Sequence, residues 1–221
     1  MRRAGALALA AMLACAAALQ SGAAAAQAVM PVPMRPPAPA PADKVCPRPE
    51  YPREAIRYEL EGITTLRFRI GPGGRVLNTV VAKSSGWALL DDAAIRSLQA
   101  CSFSADLAAR SKGELNPVQY VWTLDGGHSI RPHLMPGSCP ATGRFAGFQP
   151  YDNAPSGPDG VKVRLLVDAA GQPRGVKTEG ILLPPQTFDA LIKYVESCRF
   201  GFDPEVQGQR TDTVYGRVLL K

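Results

Sequence analysis

The sequence predicts an α+β protein built as tandem two-layer sandwiches, each a three-stranded antiparallel sheet with a helix packed on one side. Two observations carry that expectation. A shift of 97 residues lays Leu66, Phe68 and Ile70 over Val163, Leu165 and Val167, and the same register lays Gly74 over Gly171, Asp92 over Asp189, Ile95 over Ile192, Leu98 over Val195, Cys101 over Cys198 and Phe103 over Phe200. Apolar matches arise by chance, but a turn, a helix end and a cysteine in one register rarely do, so the chain reads as a duplication. Within each copy the apolar period also changes from two to helical spacing, as in a hairpin followed by a helix. A shift of 96 brings Val118, Trp122 and Leu124 onto Val214, Val218 and Leu220, which makes the closing loops differ by one residue.

In the first copy, Tyr51-Pro52-Arg53-Glu54-Ala55 places a proline at the first turn of a short helix that runs to about Leu60, where Glu61-Gly62 breaks it. Thr64 to Ile70 alternates polar and apolar, Gly71-Pro72-Gly73-Gly74 reverses the chain, and Val76 to Lys83 returns beside it. Ser84-Ser85-Gly86 offers hydroxyl caps to a helix from about Ala88 to Cys101, with Leu90, Ala94, Leu98 and Cys101 on one face. After a loop holding Phe103, Val118 to Leu124 forms the third strand. The second copy repeats the hairpin from Val161 to Glu179. Its helix is opened by Pro184-Pro185 and lined by Phe188, Leu191, Ile192, Val195 and Cys198, and its closing strand is Thr213 to Leu220. The Tyr-Pro helix is missing there: Pro150-Tyr151 has the residues in reverse order, and Asn153 to Gly160 reads as loop.

The ends of the chain point to export. Arg2 and Arg3, the apolar run Ala4 to Leu19 and the small-residue site Ala26-Gln27-Ala28 read as a signal peptide over residues 1–28. Retention of this leader as an anchor and lipidation at Cys15 are the alternatives to cleavage near Val29. Residues 29–44 are proline-rich and form an extended spacer. The expected domains are 45–126 and 139–221, joined by a linker over 127–138. The formal charge of +6 falls by two, to +4, when Arg2 and Arg3 leave with the leader. That excess is mild and scattered, without the basic stripe and interleaved aromatics of nucleic-acid binding.

Beyond the leader stand Cys46, Cys101, Cys139 and Cys198, an even set in a compartment that permits oxidation. Of three possible pairings the repeat selects Cys46 with Cys101 and Cys139 with Cys198, because one cysteine precedes each unit and one closes its helix. Structural zinc would use close pairs such as C-x-x-C, which the chain lacks.

Tyr51-Pro52…Ala55, Glu61-Gly62, the hairpin glycines, Ser84-Ser85-Gly86, Leu90-Asp91-Asp92-Ala93-Ala94 and Phe103 together resemble the C-terminal domain of TonB proteins over residues 47–125. Residues 160–221 are similar to it more faintly, through Asp168-Ala169-Ala170-Gly171 and Phe188-Asp189-Ala190-Leu191. The resemblance implies a periplasmic domain that grips a short extended peptide of an outer-membrane transporter and transmits energy from inner-membrane motor proteins. It implies a peptide-binding edge on Val118, Gln119, Tyr120, Val121, Trp122, Thr123 and Leu124, near Tyr51 and Pro52. Main-chain bonding along such an edge serves any extended partner, and alternate side chains give selectivity.

Catalysis is not expected. Only His128 and His133 are present, both in the linker, where they read as solvated side chains rather than a metal pair or a base. With the cysteines in bridges no Cys-His pair remains. Asp91 and Asp92 fall in the first turn of a helix, where they favour its dipole. No cofactor or metal is implied. The sequence therefore favours a TonB-like binding module, with an accessory envelope protein whose two domains pack edge to edge as the alternative.

Overall fold

The computed structural model describes residues 44–126 and 129–221, which lie in one compact unit. The leader, most of the spacer, Cys15 and His128 lie outside the described residues. Two hydrophobic cores mark two lobes.

In lobe 1, β1 (Lys44–Val45) is followed by α1 (Arg53–Arg57), a hairpin of β2 (Gly62–Ile70) and β3 (Val76–Lys83), and α2 (Ala88–Gln99). Then come β4 (Ser102–Phe103), α3 (Ala105–Ser111) and β5 (Asn116–Trp122). The sheet order is β3-β2-β5, all antiparallel, and β1 pairs separately with β4. Leu66, Phe68 and Ile70 of β2 pack on Leu90, Ala94 and Leu98 of α2. α1 stops short of Leu60 because Tyr58 leaves helical geometry and Glu59 takes φ 49°. α3 was expected to be loop; Ser104 caps it, accepting from Leu107 N at 3.1 Å, and Leu107 packs on the core. The serines before α2 do not cap it. Trp87 is its N-cap residue without a side-chain bond, and Ser85 Oγ instead exchanges bonds with the Trp87 backbone.

Lobe 2 runs through β6 (His133–Leu134), β7 (Phe145–Pro150), the hairpin of β8 (Gly160–Val167) and β9 (Pro173–Thr178), α4 (Pro185–Glu196), β10 (Phe200–Gly201) and β11 (Thr213–Leu220). Its sheet has four strands, β7-β11-β8-β9, rather than the expected three. The expected linker is also partly structured. β6 pairs with β10, and Ile130 bridges Arg210, so these residues belong to lobe 2. On α4 the buried residues are Leu191, Tyr194 and Val195, whereas Phe188 turns outward.

The 97-residue register holds through hairpin and helix. Leu66 faces Val81 as Val163 faces Thr178, and Ile70 faces Val76 as Val167 faces Pro173. A bulge falls between Arg67 and Arg69 and again between Arg164 and Leu166. Gly74 and Gly171 take φ 75° and 77°, and a Cβ on either would sit 1.9 or 2.2 Å from the Phe103 or Phe200 carbonyl oxygen. Each glycine is thus required twice, by its backbone angle and by a strand lying against it. The closing strands break the expected register. Leu66 pairs with Val118 and its counterpart Val163 pairs with Gly216, so the shift is 98, not 96. Strand pairing fixes this equivalence, which identity of apolar residues had misplaced.

The lobes meet face-on, not edge to edge. Val161, Val163 and Leu165 of β8 point toward α4, so Lys162, Arg164 and Leu166 point to the opposite face, where α1 and Trp87 rest. Glu54 Oε1 lies 2.8 Å from Arg164 Nη2, and Nη1 of the same guanidinium meets Glu179 in a buried ion pair. Tyr58 donates to Gly175 O at 2.6 Å, Arg57 binds both oxygens of Asp212 at 2.8 and 2.6 Å, and Trp87 meets Tyr215 edge-on at 5.3 Å. The structure joins Cys46 to Cys101 and Cys139 to Cys198, each tying the entry of a lobe to the end of its helix.

Candidate functional site

β5 pairs with β2 from Gly62↔Trp122 to Phe68↔Asn116 without a shift, and among the described residues no strand lies on its other side. Pro117, opposite Arg67, has no N–H to give the ladder. Antiparallel bonding alternates, so Asn116, Val118, Tyr120 and Trp122 direct their backbone groups at β2, while Gln119 and Val121 turn theirs outward. A proline at an edge position is the one place a sheet tolerates it, and it shortens the unpaired row. The free edge therefore offers the N–H and C=O of two residues, Gln119 and Val121. Thr123 and Leu124 were expected on this strand but lie beyond its end, where Glu61 Oε1 accepts from Leu124 N at 2.7 Å.

Side chains follow the same alternation. Gln119 and Val121 face the open side of the sheet, Gln119 donating to Thr65 Oγ1 at 3.2 Å and Val121 standing 62% exposed. Val118, Tyr120 and Trp122 face inward. The Tyr120 and Trp122 rings stack at 6.2 Å, and Tyr51 meets Trp122 edge-on at 5.3 Å. Tyr51 donates its hydroxyl to Leu60 O, and burial, with Glu61 adding, pushes its pKa up to about 12, so it remains a donor. Pro52 is the N-cap residue of α1, its carbonyl accepting from Ile56 N at 3.0 Å.

Behind the strand, Trp122 Nε1 donates to Thr64 Oγ1 at 3.2 Å, and Thr64 donates to Asp91 Oδ1 at 2.8 Å. Asp91 also accepts from Ser84 Oγ and from Ser85 N at 2.9 Å. This buried carboxylate was expected to serve only the helix dipole. It instead knots β2, β5 and the start of α2 together, satisfying donors that would otherwise be buried unpaired. His133 lies exposed in β6, and among the described residues no three His, Cys, Asp or Glu side chains converge on a metal position.

In lobe 2 the matching edge is occupied. β7 lies along β11, with Gly216↔Pro150, Val218↔Phe148 and Leu219↔Gly147, and Tyr215 O accepts from Tyr151 N at 2.8 Å. Nothing in the sequence period announced this strand. Among the described residues no helix is long and apolar enough to cross a membrane.

Residues 47–121 match the family described as Gram-negative bacterial TonB protein C-terminal, about a third of the chain. The chain is 38% identical over 60 residues to Protein TonB of Neisseria gonorrhoeae, covering 27% of this chain and 21% of that protein. Protein TonB of Neisseria meningitidis serogroup C is 37% identical over 60 residues, at 27% and 22% coverage. The chain thus spans about a fifth of the length of the curated relatives it matches. No solved structure matches it.

Proposed function

We propose that this chain is an exported, TonB-like binding module that captures an extended segment of an envelope partner, a transporter of the outer membrane first among them, by strand addition to β5. The observation that carries this reading is the open edge at Gln119 and Val121 within the segment that matches the TonB C-terminal family. Affinity comes from backbone pairing, which needs no reactive side chain, and the binding role is a non-catalytic one. Lobe 2 acts as the prop: its edge is taken by β7, and its outer face holds α1 in place. Coupling to inner-membrane motor proteins is the fuller form of the reading and requires the leader to persist as an anchor. Sequencing the mature N-terminus decides between a tethered and a released module.

The test is a proline at either outward position. Gln119→Pro or Val121→Pro deletes a free N–H without removing any backbone bond to β2, and Val121→Pro also spares the side-chain bond that Gln119 gives Thr65. Capture of a synthetic peptide from the plug of an outer-membrane transporter is expected to fall to background, with the circular dichroism spectrum unchanged. Capture that survives both prolines removes β5 as the site.

A further inference from the structure

The two lobes complete the same inward volume by different means. In lobe 1 the inward residues of the closing strand are Val118, Tyr120 and Trp122; in the 98-residue register their counterparts are Gly216, Val218 and Leu220. Each is larger in lobe 1. Lobe 2 recovers the missing volume from β7, whose Phe145 and Phe148 are buried, stacking on Tyr194 at 4.8 Å and meeting Phe200 edge-on at 5.9 Å. Gly216 makes this fit possible. A Cβ there would lie 2.3 Å from Gln149 O and 2.8 Å from Phe148 Cζ.

Phe145 has a counterpart in lobe 1. It lies opposite Leu220, the equivalent of Trp122, and Tyr51 packs on Trp122. Both aromatics follow the first cysteine of their lobe by a few residues. Beyond them the chains part: lobe 1 turns into α1 and leaves β5 bare, while lobe 2 continues along the edge and inserts Phe148 opposite Val218. The socket for Phe148 is the position that Val118 and Tyr120 fill from their own strand.

From this internal comparison, and resting on the strand-addition reading above, we infer that Tyr120 and Val118 set the selectivity of the β5 edge. They restrict it to an extended partner segment with a small residue, glycine, alanine or serine, at the inward position facing Tyr120. A bulky side chain there would have to displace a packed ring, as overpacking of a close-packed interior does. Outward positions of the added strand, beside Gln119 and Val121, carry no such limit.

The experiment has an arm in each lobe of the full chain. Gly216→Val with Val218→Tyr copies lobe 1 into lobe 2 and should expel β7: amides 145–149 lose hydrogen-exchange protection while those of β8 and α4 keep it. Gly216→Ala alone, a smaller change, should raise exchange at the same amides. In lobe 1 the probes are two synthetic peptides, residues 144–151 and the same sequence with Phe148→Gly. The unaltered edge should prefer the glycine peptide by about tenfold, and Val118→Gly with Tyr120→Val should reverse the preference. A β7 that stays protected in both lobe 2 variants, or a peptide preference that does not change with the lobe 1 substitution, overturns the inference. If β7 is expelled yet neither peptide binds any lobe 1 form, strand addition at β5 fails and takes this selectivity with it. The packing difference between the lobes would then stand alone.

Discussion

The Nζ of Lys162 lies 3.5 Å from the ring centre of Trp87, joining the two lobes through a cation over an aromatic face. The ammonium donates to Gly86 O at 2.7 Å and to Asn153 Oδ1 at 2.6 Å, and the residue is 1% exposed. Burial holds its pKa down at about 8, with Arg164 acting in the same direction and Asp152 and Asp91 opposing.

Stability should therefore rise with pH between about 8 and the ordinary lysine value of 10.5. In that window the unfolded chain keeps the proton that the folded chain has lost, so raising the pH favours the fold. The slope is at most about 1.4 kcal/mol per pH unit for one proton. Urea midpoints at pH 7.5, 8.5 and 9.5 measure it, before the buried tyrosines can ionise, and Lys162→Met should flatten the rise.

Removing the Asp91 carboxylate strands three donors, Thr64 Oγ1, Ser84 Oγ and Ser85 N, in or near the core of lobe 1. Asp91→Ala is expected to cost about 3 kcal/mol by chemical denaturation, and Asp91→Asn, which keeps an acceptor, well under that. Loss of the Trp122–Thr64–Asp91 chain should also alter the near-ultraviolet signal of Trp122.

Gly74→Ala and Gly171→Ala are expected to destabilise alike, by about 3 kcal/mol or more, because each meets a positive φ and a carbonyl oxygen inside contact distance. Unequal penalties, measured by thermal melts of the two variants, would mean that one copy tolerates a shift that the other does not.

Each disulfide closes a loop of 55 or 59 residues in sequence separation. Replacing either pair with serine should remove about 4 kcal/mol if the loss is mainly loop entropy. Intact mass with and without reductant, followed by peptide mapping, tests the pairing itself; a fragment joining Cys46 to Cys139 would refute it.

The two hairpins, α2, α4 and the cysteine pairing were legible in the sequence because each is written locally, in a period, a glycine turn or a residue at matching ends of a repeat, whereas α3 was not. β7 was not legible. Phe145-Ala146-Gly147-Phe148-Gln149-Pro150 has no alternation, a central glycine and a terminal proline, and it becomes a strand only because β11 leaves a hole that Phe148 fills. The 98-residue register was hidden for the same reason, since matching valines ignores volume shared across strands. Arg164 likewise follows its counterpart Arg67 in pattern. Its burial depends on α1, a segment 110 residues away, so no local reading could distinguish them. The third strand of lobe 1 was legible to within two residues, but its outward residues follow from Pro117 and the ladder alternation rather than from hydrophobicity.

The placement of α1 makes the pairing of the two lobes directional. Lobe 1 carries a clamp and lobe 2 receives it, while in lobe 2 β7 covers the closing strand and itself becomes an edge of the sheet, with β9 at the other. Among the described residues β11 is therefore covered by its own chain while β5 is not, and a segment that is to lie directly on a closing strand finds that place in lobe 1.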